Sequence, residues 1–227
     1  MRLLMHARSL LLAACVTACT ILPPAGQLVV AAELSVTIQN PDGHGVSGAV
    51  VIAEPAVAAP RARAAAQASM DQRDLQFVPE VLVVRTGTAV VFPNSDQVRH
   101  QVYSFSGAKT FQLALYAGRA HPPVVFDKAG LVTLGCNIHD GMIGYIYVTD
   151  SPWFGQTDGQ GHLQLNGLPA GSYTLKIWHP RLSEAATRLD RQLSLQEEQK
   201  SAVSIRLTRA VRAPTHTHGS DKRWEDY

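Results

Sequence analysis

Cysteine is scarce in this chain. There are three in 227 residues, and two of them, Cys15 and Cys19, fall within the first twenty positions. If that segment is removed, Cys136 stands alone and no intramolecular disulfide can form, so a lone thiol needs another reason to be there. Charge is scarce as well: charged residues make up 17% and the formal net charge is +2. With no basic stripe carrying interleaved aromatics, nothing points to nucleic acid. The stretch after Pro152 carries no Ser-His-Asp arrangement and no paired acids in a recognisable context. Hydrophobic residues at 46% are ample for a real core, and the length allows one large or two small domains.

The most informative stretch is Leu134-Gly-Cys-Asn-Ile-His-Asp-Gly-Met142. It spaces Cys136, His139 and Met142 three residues apart on a tight loop between two apolar runs. Pro122–Phe126 and Leu131–Leu134 precede it, and Ile143–Val148 follows. Both runs are rich in Val, Ile, Tyr and Thr and bounded by Gly and Asp, as strands are. One more imidazole completes a mononuclear centre, and His100 is the leading candidate. One thiolate, two imidazoles and a weak thioether form the set that holds copper for electron transfer. Zinc prefers four firm ligands and has no use for Met142. The plainer alternative is a buried Cys and Met packing in a core beside an incidental His.

Residues 1–32 have the pattern of an export signal: Arg2 and Arg8, then an apolar core from Ser9 to Leu22, then Val30-Ala-Ala32 before Glu33. Pro23 and Pro24 interrupt the apolar run, which argues against a permanent membrane span. A lipid anchor is the alternative, because Leu12-Ala-Ala-Cys15 and Val16-Thr-Ala-Cys19 both resemble a lipoprotein signal. Either way the folded part is expected outside the cytoplasm, in a bacterial periplasm or envelope.

Leu34, Val36 and Ile38 alternate as in a half-buried strand. Asn40–Gly45 is a turn cluster containing His44, and Gly48–Ile52 is a second strand. Pro55–Ala68, with Arg61 and Arg63, reads as a linker or exposed excursion.

From Ser69 to Asp150 the chain resembles the cupredoxins, the family of plastocyanin, amicyanin and pseudoazurin. Phe77, Pro79, Gly87, Phe92 and Asn94 fill its Phe-x-Pro, strand, Gly turn, strand and Asn pattern, and His100 follows Asn94 by six residues. The compact Cys-x2-His-x2-Met loop is similar to that of amicyanin. The layout as a whole resembles the bacterial plastocyanin-like proteins labelled for methylamine utilization, which carry stretches like Val98–Ser106 and Cys136–Asp140. The resemblance implies a Greek-key β-sandwich holding one type 1 copper at His100, Cys136, His139 and Met142, with Met142 as the long axial ligand. It also implies that Asn94 ties the loop after Cys136 to the strand carrying His100, and that Asp96 helps fix the same turn. Simple turn chemistry is the other account of both. Gly141 stands where relatives carry Trp between the second His and Met. An apolar patch from Ile138, Met142 and Pro93 is expected around His139, where family members dock a transient redox protein such as a cytochrome or dehydrogenase. His121 is expected to be a surface or hydrogen-bonded His, not a ligand.

After Pro152, Gln156–Trp178 resembles the second half of a carboxypeptidase regulatory-like domain, a small transthyretin-like β-sandwich. Val46-Ser-Gly-Ala-Val50 resembles its first half. The fold class expected is therefore all-β, with two sandwiches: 33–54 and 155–209 forming a discontinuous one, and the cupredoxin at 69–150 inserted into it. A simple tandem is the alternative. Residues 210–227, with His216-Thr-His218, are expected to be a disordered tail, and no other His-x-His pair suggests a multicopper oxidase. His162, Trp178 and His179 are expected to be structural. Two functions follow: a periplasmic blue copper protein carrying single electrons, with no enzymatic turnover, or an envelope protein that binds or delivers copper without shuttling electrons. A binding module with an ornamental metal site is a weaker third.

Overall fold

The computed structural model describes residues 31–57, 67–118, 121–183, 185 and 188–212. Residues 1–30 of the signal pattern, with Cys15 and Cys19, as well as Arg61, Arg63 and the tail from 213, lie outside these residues, whereas Ala32 is described and buried.

The described residues are all-β, with no α-helix among them. In chain order the strands are β1 (Ala32–Gln39), β2 (Val50–Pro55), β3 (Ala68–Ser69), β4 (Asp71–Arg73), β5 (Gln76–Val78), β6 (Val81–Arg85), β7 (Thr88–Val91), β8 (Tyr103–Ser106) and β9 (Lys109–Gln112). There follow β10 (Val124–Phe126), β11 (Gly130–Gly135), β12 (Ile143–Thr149), β13 (Phe154–Gln156), β14 (His162–Leu168), β15 (Gly171–Trp178), β16 (Arg191–Leu195) and β17 (Lys200–Arg206).

Period-two patterning sets which face each strand buries. In β1, Leu34, Val36 and Ile38 are buried while Ser35 is exposed, because successive side chains point to opposite faces. The same alternation buries Tyr173, Leu175 and Ile177 of β15. Sheets β14-β1-β17 and β13-β2-β15-β16 close over one apolar core that includes Leu34, Ile38, Leu165, Leu175, Ile177 and Ile205. Strand β1 runs antiparallel to β14 and parallel to β17. Residues on both sides of the central segment thus share their sheets.

The central segment forms sheets β10-β7-β3 and β6-β12-β11-β8-β9. Its core holds Met70, Phe77, Phe92, Phe126, Leu134 and Ile146, and Cys136 and Met142 belong to it.

The two cores are joined by a third cluster. Val50 and Ile52 of β2 meet Val81, with Val83, Tyr145, Tyr147, Phe154 and Trp178 packed around them. This explains why β2 begins as an unbroken apolar run: Val51 and Ala53 face one core, Val50 and Ile52 the other. A strand covered on both faces loses its alternation. Trp178 packs edge-on against Tyr145 at 5.3 Å. Arg181 adds a two-pronged contact to Glu80, both oxygens at 2.9 Å. Beyond β17, Val211 N–H donates to Asn40 Oδ1 and Arg212 N–H to the Arg181 carbonyl, so residues 211–212 are docked, unlike the free tail expected from 210 onward.

His179 sits beside this junction and is buried. Its Nδ1 accepts the Arg181 N–H at 3.2 Å. Burial, then the nearby Arg181 charge, pushes its pKa from 6.5 down to about 4. The unfolded chain takes up this proton near 6.5 and the folded chain only near 4, so stability is lost as pH falls through that window. The expected loss is about 3 kcal/mol. Urea denaturation of the native chain and of His179→Gln across this range checks it: the variant should lack this component of the pH slope.

Candidate metal centre

The site is built at the end of a hairpin. Strands β11 and β12 pair antiparallel, and Gly135 opposite Ile143 is their last rung. Gly135 also pairs with Tyr103 of β8, so the strand is held on both edges up to the residue before Cys136. A side chain at Gly135 would put its Cβ 2.7 Å from the Tyr103 ring, closer than real contacts allow; glycine lets that ring lie against the strand. The loop closes with a turn in which Met142 N–H donates to the His139 carbonyl at 3.2 Å. Gly141 takes φ +83° there, the left-handed region that glycine enters freely.

His100 comes from a different part of the chain. Its backbone pairs with Tyr116 through two hydrogen bonds of 2.9 Å. Its side chain is fully buried. The Gln101 N–H points at Cys136 Sγ, 3.5 Å away.

Three ligand atoms converge. His100 Nδ1 and His139 Nδ1 are 3.0 Å apart, Cys136 Sγ is 3.7 Å from His139 Nδ1 and 4.0 Å from His100 Nδ1. A circle through three points with these separations has a radius of about 2.1 Å, within the roughly 2.0–2.3 Å at which zinc, a neighbouring first-row ion, bonds imidazole and thiolate. An ion therefore fits between them without rearrangement. The His100 tautomer suits it too. Nε2 lies 2.7 Å from Asp96 Oδ2, and an ionised carboxylate only accepts, so Nε2 carries the proton and the neutral ring turns its Nδ1 lone pair inward.

The electrostatics follow from the crowding. Burial would raise the Cys136 thiol, but when His100 carries a second proton, on Nδ1, its contact and those from the Gln101 and Ile138 N–H groups hold the thiol pKa below the ordinary value. Burial depresses the His100 pKa, and the Cys136 and Asp96 contacts more than reverse it. His139, half-buried, is lowered by burial and by the neighbouring His100 charge.

The structure thus brings His100, Cys136 and His139 together as one potential metal-holding group. Met142 is 3% exposed and packs in the same core as Cys136. It is therefore no part of a surface patch, contrary to expectation. The exposed apolar side chains nearest in sequence to the ligands are Val98, Ile138 and Ile143.

The second expectation to be corrected concerns Asn94. Its Nδ2 donates to the carbonyls of Val98 and Tyr116, both at 2.9 Å, and its Oδ1 accepts the Asp96 N–H at 3.0 Å. It braces the segment leading to His100 against the segment that pairs with His100, and these bonds do not reach the loop after Cys136. The amide is fully used by these nearer carbonyls. The Asp96 carboxylate accepts the N–H groups of Asp74 and Leu75, in the β4–β5 turn 21 to 22 residues upstream, and contacts the His100 ring. His121 bonds the Ala114 carbonyl and meets the Tyr116 ring edge-on. His162 lies exposed on β14.

Gln72 and Tyr116 had no signature in the sequence. Gln72 Nε2 donates to the Pro93 carbonyl and to the Tyr116 hydroxyl, which in turn donates to the Phe92 carbonyl at 2.6 Å. These partners lie 21 to 44 residues apart in the chain, too far for local pattern to reveal.

No known family matches the chain by sequence, and no curated protein matches it. Several solved structures resemble part of it. A copper-containing nitrite reductase from Thermus scotoductus SA-01 is 25% identical over 42% of this chain, with a TM-score of 0.36; the match spans 25% of the reductase. A purple cupredoxin from Nitrosopumilus maritimus is 24% identical over 37% of this chain and 100% of its own length, with a TM-score of 0.31. A reduced amicyanin variant is 21% identical over 43% of this chain and 99% of its own, with a TM-score of 0.34.

Asn94→Ala removes three hydrogen bonds at a nearly buried position. The expected cost is about 2–3 kcal/mol, measured by urea denaturation, together with weaker retention of a divalent ion by the loosened His100 segment, measured by metal titration.

Proposed function

We propose that this chain is a type 1 (blue) copper protein that passes single electrons between redox partners. One observation carries the reading: two imidazole nitrogens and a thiolate sulfur, from two distant segments, converge on a point about 2.1 Å from each. Copper bound there would supply one-electron exchange between Cu(II) and Cu(I), for which a thiolate, two imidazoles and a weak thioether are the suited donors.

Each residue has a defined task. Cys136 would hold copper as thiolate, its proton already easier to lose through the contacts to His100 and the two N–H groups. His100 and His139 would hold it through Nδ1. Met142 would supply a weak thioether donor, and together with the hydrogen bonds to the Cys136 sulfur it would tune the potential. The sheet ends hold these groups in one place for both oxidation states, which keeps rearrangement small when an electron arrives.

Exposed Ile138 and Ile143 flank half-buried His139 in the chain. They offer an apolar landing for a transient partner such as a cytochrome or a dehydrogenase, in an encounter of the small, weak kind that redox exchange uses. The pattern of residues 1–32 and the lone remaining thiol support a place in the periplasm or, through Cys15 or Cys19, on an envelope membrane. No helix among the described residues is long and apolar enough to cross a membrane. The pairing of β1 and β2 with β13 to β17 supports an insertion of the copper unit, residues 69–150, into a sandwich made of 33–54 and 155–209.

The test is the visible spectrum of the exported form with Cu(II), beside Cys136→Ala. The expected result is an intense blue thiolate-to-copper band in the native protein and none in the variant. Copper bound without that band would overturn electron transfer in favour of copper storage or delivery.

A further inference from the structure

Asp96 stands directly behind His100. Its Oδ2 accepts the His100 Nε2 hydrogen at 2.7 Å. The same carboxylate is gripped from the other side, Oδ1 by the Asp74 N–H at 2.7 Å and Oδ2 by the Leu75 N–H at 3.1 Å. Its own N–H is anchored on Asn94. The Asp96 side chain is 13% exposed and that of His100 0%, so the pair is shielded from the solvent that weakens surface contacts.

The grip has a conformational cost. Asp74 and Leu75 are the two residues joining β4 to β5, and they take φ of 53° and 58°. A two-residue hairpin loop with both residues left-handed normally calls for Asn-Gly or Asp-Gly. Asp tolerates the region, and a bulky residue such as leucine does so poorly. What this backbone gains is two successive N–H groups aimed at one carboxylate, the arrangement that cradles anions. Strained residues persist where the surroundings over-determine them. Here the surroundings are a carboxylate that must stay at one edge of one imidazole.

A neutral Asn or Ser side chain could cap one turn amide, whereas the carboxylate accepts from both amides and from the imidazole at once. A charge matters only to something that senses charge, and one imidazole ring separates this one from the point where the three ligand atoms converge. We propose that Asp96 is a positioning residue that sets the oxidation-state preference of the centre: its negative charge, delivered through the His100 ring, favours Cu(II) over Cu(I) and strengthens the hold on divalent ions. The carboxylate does so by making His100 a stronger donor and by partly balancing the extra positive charge of the oxidised ion. This rests on the copper reading above.

The experiment compares the native chain with Asp96→Asn and Asp96→Glu. Each is loaded with copper for its reduction potential and, separately, with Co(II), a redox-silent probe, for its dissociation constant. Asp96→Asn keeps a side chain able to accept from His100 but removes the charge. Its ratio of Cu(II) to Cu(I) affinity is expected to fall about tenfold, which raises the potential by about 59 mV for a one-electron couple. Its Co(II) dissociation constant is expected to rise about tenfold. Asp96→Glu, which keeps the charge, is expected to stay within threefold of native in both. Asp96→Asn within threefold of native in both measurements overturns the proposal, and so does Asp96→Glu behaving like Asp96→Asn. If Asp96→Asn does not fold, Co(II) binding by Asp96→Glu decides: more than tenfold weaker than native overturns the proposal. A native chain showing no thiolate-to-metal band with either ion would instead bring down the copper reading itself.

Discussion

Electron-pair donors repel one another. Two imidazole nitrogens at 3.0 Å and a sulfur within 4.0 Å of both can be held together only if a cation or a proton lies among them and the backbone leaves them nowhere else to go. Much of the central segment serves that constraint. Gly135 is locked between two strands up to the residue before Cys136. Tyr116 clamps the His100 backbone. Asn94 braces the approach to it, and Asp96 fixes which ring nitrogen turns inward. Buried polar networks of this kind are useful only when nearly every member is satisfied. Here the carbonyls of Phe92, Pro93, Val98 and Tyr116 each find a side-chain donor.

The sheet β13-β2-β15-β16 meets the central segment at the third apolar cluster. It covers the other side of the β12 sheet, where Tyr145 and Tyr147 pack on Trp178. Strand β12 thus has two jobs set by its alternation: Ile146 and Val148 face the core that contains Cys136, while Tyr145 and Tyr147 face the neighbour. The strand that leaves the ligand loop is also the strand that fastens the two halves together. A disturbance at the junction therefore has a short covalent path to Met142.

What the sequence made legible was local. The Cys-x2-His-x2-Met spacing and the apolar runs on either side named the loop. Alternation in Leu34-Ser-Val-Thr-Ile38 named its strand and inward face. His100 could be nominated because it follows a recognisable order of Phe, Pro, Gly and Asn. What stayed hidden was pairwise and distant. Nothing near Gln72 or Tyr116 shows that they meet across 44 residues. Asn94 has two donor hydrogens and many carbonyls within reach, so its residue type could not say which it would choose. Met142 was misplaced at the surface because a ligand loop reads as exposed, whereas a thioether in a strand-end turn packs inward with the Phe and Leu side chains around it.

The parallel pairing of β1 with β17 joins Glu33 to Lys200, across nearly the whole described chain. Every strand of the ligand-bearing segment is made between these two partners. Contacts of such long range carry a large loop-closure cost before they return anything. A chain emerging from its N-terminus can complete the inner sheets as soon as β12 has appeared, while β1 and β2 wait with their apolar faces uncovered until β13 to β17 arrive. Once the central segment has folded, the loop that β1 and β17 must close is effectively shorter.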